Sequence, residues 1–163
     1  MKVFVCVLGL VAGLAAADLS GHGSWARAEA AGGESDEAAA LDFVRMGFER
    51  NDVRGAFQKY VAPNLVEHDP EFGDGRDSVF KYIEKRRRSH PNEYLPDSQW
   101  TNHMDYVAFK DDMLITKMHV FARKNDRGRV FADFWRFKNG KIVEHWDIIQ
   151  EVPANKANPR PMW

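Results

Sequence analysis

The hydrophobic pattern of this 163-residue chain changes period once, after Pro91 and Pro96. Before that point apolar residues recur at spacings of three and four, and after it they alternate. Four alternating runs follow: Gln99–Phe109, Met113–Arg123, Arg129–Lys138 and Lys141–Glu151. The turns between them are KDD, KNDRG and NG, short enough to force an antiparallel meander. Upstream, Ser35 or Asp36 caps a helix, SDEAAALDFVRMGFER, with Leu41, Val44 and Phe48 on one stripe. A shorter helix, DVRGAFQKY, turns Val53, Ala56, Phe57 and Tyr60 inward. In VAPNLVEHDP, Pro63 turns the chain and Leu65 to His68 form a short strand ended by Asp69-Pro70. A third helix, GRDSVFKYIEKRRRS, has Val79, Tyr82 and Ile83 on its inner side, and Arg86 to Arg88 read as a solvated face. Helices first and a sheet second predict an α+β domain, with a curved sheet wrapped on the N-terminal helices and a pocket between them.

The first residues have the layout of an export signal. Lys2 precedes the apolar run VFVCVLGLVAGLAAA, Val3 to Ala17, which is shorter than the roughly 20 residues of a membrane-spanning helix. Cleavage after Ala30 is preferred over cleavage after Ala17, which gives a signal over 1–30 and a single domain over 31–163. The expectation is therefore a secreted or periplasmic protein with no stable membrane anchor. Cys6 is the only cysteine and lies in the leader, so the mature chain is held by its core and not by disulfides. A net charge of -1, from 23 basic and 24 acidic residues, gives no reason to expect a nucleic-acid partner.

The segment DFWRFKNGKIVEHWD, Asp133 to Asp147, puts polar groups where a plain core would carry Val and Ile. Cross-strand neighbours share a face, so turn length decides which side chains meet. If Lys124 to Gly128 form the loop, His119 lies opposite Asp133. The Asn139-Gly140 turn allows two registers. A two-residue turn pairs Lys138 with Lys141, sets Asp133 against Trp146 and sends His145 to the other side. A three-residue loop with Gly140 in a bulge pairs Phe137 with Lys141 and gathers His119, Asp133 and His145, with Asp147 and Trp135 beside them. The second is preferred because it collects the polar groups on one face. There, burial would raise the pKa of Asp133 and an imidazolium would oppose the rise, leaving a carboxylate able to take and return a proton. Asp133 and His119 are the catalytic candidates. His68, Trp135, His145, Asp147, Tyr60 and Phe48 are the substrate-binding ones, with His68 equally readable as a turn cap. A lone Asp–His pair on a sheet is more often a structural hydrogen bond, and no H-x-H or H-E-x-x-H spacing argues for a metal.

YVAPNLVEHDP, DGRDSVFKYIEK and FADFWRFKNGKIVEHWDIIQEVP resemble the SnoaL-like proteins of the nuclear transport factor 2-like superfamily, from about Leu41 to Trp163. The resemblance implies a cone-shaped α+β barrel with a deep pocket. It implies that Asp133 matches the acid/base Asp of the SnoaL cyclases, which close a ring by an intramolecular aldol reaction, and that His119 matches its histidine partner. It also implies no metal or organic cofactor, and a homodimer or higher homo-oligomer built through the outer sheet face. The fold equally serves isomerases, dehydratases and plain binding proteins. Two readings stay open: an acid/base enzyme acting on a small apolar carbonyl compound, and a non-catalytic module that binds a small-molecule ligand in the same pocket.

Overall fold

The computed structural model describes residues 35–96, 99–125 and 127–163. The segment expected to be an export leader lies outside the described residues. No described helix is long and apolar enough to cross a membrane. Helix α1 spans Asp36–Val44 and runs on into a π-turn, Arg45–Glu49. Ser35 starts it by accepting a hydrogen bond from the Ala38 amide at 3.2 Å, and Asp36 and Glu37 place negative charge against the positive end of the helix dipole. The buried stripe is Ala39, Ala40, Phe43 and Val44, and the expected Leu41 is exposed. Helix α2, Val53–Tyr60, begins at Asp52, whose side chain accepts from the Gly55 amide at 3.0 Å. Asn51 takes the positive φ of 58° that turns the chain between the helices, a conformation Asn tolerates better than most residues.

Strand β1, Val61–Glu67, follows α2 directly. Pro63 lies within it and does not turn the chain. The strand is at a sheet edge with an irregular register between Val61 and Val66, where a missing N–H costs no ladder bond. Helix α3 spans Ser78–Ser89, and β2 to β5 are Thr101–Lys110, Met113–Phe121, Arg129–Lys138 and Lys141–Glu151. The sheet order is β1-β5-β4-β3-β2, antiparallel except for the parallel β1–β5 pair. Bulges in β2 near Asp105 and in β5 near Val143 bend this mixed, open sheet around the helices.

The core sits in the concave side. Phe43 packs edge-on against Trp135 at 5.3 Å, and Phe57 meets both rings. Burying each such ring contributes roughly 1.5–3 kcal/mol. Helix α3 has no fully buried residue. Instead, its inner side chains Val79, Phe80, Tyr82 and Ile83 face a cavity of about 330 Å³ between the helices and the sheet.

Candidate functional site

Two registers decide the site, and both differ from the sequence-based ones. At the first, Val120 pairs with Arg129 and His119 with Val130, so Thr116 is the residue opposite Asp133. The loop is longer than expected because the last β3–β4 pair is Val120–Arg129 and not Arg123–Arg129. That three-residue shift is odd, and an odd shift moves a side chain to the other face. His119 therefore lies behind the sheet, away from Asp133. It is 2% exposed, stacked under Trp163 at 3.8 Å, with its Nε2 at 2.9 Å from the Arg127 carbonyl oxygen. The expected His119–Asp133 contact is not made.

At the second, Lys138 pairs with Lys141 around a two-residue turn whose Asn139 and Gly140 have φ of 54° and 73°. The preferred three-residue loop is absent. The extra residue comes one step later: Phe137 pairs with Ile142 and Arg136 with Glu144, which leaves Val143 as a bulge. The bulge restores the parity that the turn removed. Trp135 thus pairs with His145 and Asp133 with Asp147, all on the cavity side.

Asp133 is 3% exposed. The Trp135 indole N–H donates to Thr116 Oγ1 at 3.3 Å, and the Thr116 hydroxyl donates to Asp133 Oδ2 at 3.0 Å. The other oxygen of Asp133 lies 3.7 Å from His145 Nε2, at ion-pair distance but beyond a hydrogen bond. His145 stacks on Trp135 at 3.7 Å, and its Nδ1 meets Glu67 at 3.0 Å. Burial pushes the imidazole down, but the Asp133 and Glu67 carboxylates on either side outweigh it and hold the pKa up at about 9. His145 is therefore an imidazolium at neutral pH. Asp147 lines the same wall, and its pKa is pushed up to about 7, first by burial and then by the hydrogen-bonded Asp69 carboxyl. The His145 charge opposes that rise.

Ligand atoms of Asp133, His145 and Asp147 fall within 4.8 Å of one another, close enough to hold a metal ion. A metal at Nε2 would first have to displace the proton that the flanking carboxylates retain. The arrangement favours proton chemistry: the Asp133 side chain, an imidazolium and a carboxyl group that titrates near neutrality share one buried wall.

Of the remaining candidates, Phe48 and Trp135 line the cavity. Tyr60 does not: it is 2% exposed in the core, with its hydroxyl donated to Asp42. His68 is on the convex side, stacked on Trp146 at 4.5 Å and bonded to Glu144 at 2.9 Å. The strand residue that enters the site is its neighbour Glu67, because Leu65 points inward and alternation carries Glu67 with it. That parity was available in the sequence. Thr116 was hidden by the loop length, and Asp69 by its reading as a strand end.

The chain belongs to the SnoaL-like domain family, which matches residues 40–145, and it has the nuclear transport factor 2-like α+β fold. No curated protein matches it. Among solved structures it is similar to TsrD from Streptomyces laurentii, with a TM-score of 0.51 and 15% identity over 71% of this chain and 91% of that one. A candidate ketosteroid isomerase from Kribbella flavida gives a TM-score of 0.53 and 14% identity, over 74% and 84% of the two chains. AclR, a candidate hydroxylase from Streptomyces galilaeus, gives 0.50 and 19%, over 71% and 88%.

Proposed function

We propose that this SnoaL-like protein moves a proton next to the carbonyl of a small, mostly apolar compound, without an organic cofactor. The observation that carries this reading is the cavity wall shared by Asp133, His145 and Asp147, where Asp147 titrates at about 7. Asp133 takes the α-proton, which leaves an enolate whose oxygen accepts a hydrogen bond from protonated Asp147. Returning the proton to another carbon gives an isomer. Attack of the enolate carbon on a second carbonyl forms a carbon–carbon bond, and the resulting alkoxide takes up the proton, an aldol ring closure. His145 lies 3.7 Å from Asp133 and holds positive charge beside it, and Trp135, Phe57 and Phe80 keep water from competing. The described relatives of this fold include a candidate isomerase, which is consistent with such chemistry.

The test is α-proton exchange of a phenyl-substituted cyclohexanone in deuterated water, followed by NMR with EDTA-treated protein. Asp133→Asn is expected to slow exchange by about 10²- to 10⁴-fold, the usual contribution of a positioned base, while ketone binding survives. Equal rates in the two proteins would leave the binding-module reading. The leader, Val3 to Ala17, supports export, so this activity belongs in the periplasm or outside the cell. N-terminal sequencing of the mature protein checks that placement.

A further inference from the structure

The cavity has a second polar end that proton transfer does not use. Arg129 opens β4 and, by alternation along the strand, shares a face with Phe131, Asp133 and Trp135. All four line the cavity. The Arg129 guanidinium lies 5.3 Å from the centre of the Phe131 ring, the next residue on that face towards Asp133. The side chain is thus laid along the wall and partly stripped of water by the ring.

No ion pair to Arg129 occurs among the described residues. Its cross-strand neighbour, Glu151, is taken by Arg123. The other arginine among the described lining residues, Arg54, is paired with Glu84 at 3.3 Å, and the His145 imidazolium is held by Glu67 and Asp133. Between Arg129 and Asp133 the wall is apolar, formed by Phe131, Met118 and Ile149. Four residues of strand place the two Cα atoms roughly 13 Å apart. Glu67, Asp133 and Asp147 therefore cluster away from Arg129 and repel an anion there, and Arg129 presents a planar cation whose donors match a planar oxyanion two at a time.

We propose that the substrate is amphiphilic: an enolisable carbonyl at the Asp133 end, an apolar ring body, and a carboxylate or similar planar oxyanion held by Arg129. This rests on the reading of the Asp133 end as the proton-transfer centre, and it fixes which way round the substrate enters. Two probes test it, a phenyl-substituted cyclohexanone and the same ketone bearing a para-carboxylate on the phenyl ring. Dissociation constants come from tryptophan fluorescence, and exchange rates from NMR in deuterated water. The wild-type protein is expected to bind the carboxylate at least about tenfold more tightly than the neutral ketone, as a charge-assisted pair allows. In Arg129→Met that ratio falls to near one, and Arg129→Lys lies between them. In exchange, Arg129→Met raises KM for the carboxylate ketone with little change in kcat.

A ratio near one in the wild type, or a ratio that survives Arg129→Met, overturns the proposal. The two claims fail separately. Tight carboxylate binding without exchange retains the oxyanion subsite and removes the proton-transfer reading. Exchange of both ketones without a carboxylate preference does the reverse.

Discussion

The two faces of one sheet use the same residue types to different ends. On the concave face, His145 sits between Asp133 and Glu67, stacked on Trp135 and shielded from water. On the convex face, His68 also has a carboxylate and a Trp, Glu144 and Trp146, but its side chain is 39% exposed. Residue content does not separate the two constellations. Solvation does, because an ion pair in water is worth little and a desolvated one sets the protonation state of its members. His119 is a third case. It is as buried as His145, but among the described residues it meets a carbonyl and the Trp163 ring and no carboxylate.

The largest test of this contrast is His145→Gln. The folded pKa of about 9 lies above the ordinary 6.5. The imidazolium therefore stabilises the fold fully below pH 6.5, and the contribution disappears as pH rises to 9. With about 1.4 kcal/mol per pKa unit, it is on the order of 3 kcal/mol. Wild-type thermal stability should fall across that window, and the fall should be largely absent in His145→Gln. A parallel pH dependence in the two proteins would refute the ion pairing. Asp147 adds the same sign lower down. Its folded pKa of about 7 lies above 3.8, so stability also declines between those values.

Asp147 has the next largest expected effect, and it falls on rate. If the protonated carboxyl stabilises the enolate, proton exchange should drop roughly tenfold per pH unit above about 7. Asp147→Asn keeps a neutral donor and should flatten that limb, which a pH–rate profile reads directly. On the convex face the effects shrink. His119→Gln should lower stability by about 1 kcal/mol, the worth of one buried hydrogen bond, and leave exchange intact. A hundredfold loss of exchange there would mean that the face assignment is wrong. His68→Gln should change neither stability nor exchange by more than about 0.5 kcal/mol, as a surface substitution does.

Much of the fold was legible in the chain. The change of period after Pro96 marks the meander, and the Asn-Gly pair with positive φ at both residues marks the hairpin between β4 and β5. The bounds of both strands match the sequence reading. Asp133, Trp135, His145 and Asp147 were named from residue type and strand parity and Phe48 from the inward helix stripe, and all of them line the cavity. His119 was misplaced because the length of the loop before β4 cannot be read from KNDRG alone. Tyr60 was misassigned because an inward helical position serves core and cavity alike.

Residue type and spacing determined the element order, the α+β class, the SnoaL-like resemblance and the set of groups able to carry protons. Which groups face one another depended on two local departures from regular pairing. One is the long β3–β4 loop, and the other is the bulge at Val143, which undoes the face flip that a two-residue turn imposes. A side chain changes face with each single-residue shift, so one inserted residue moves a whole histidine set. Neither departure has a composition signal: a valine at 143 does not mark a bulge, and KNDRG does not mark the end of the ladder at Val120. The sequence supplied the histidines and carboxylates, and the packing of the sheet on the helices selected His145 as the partner of Asp133.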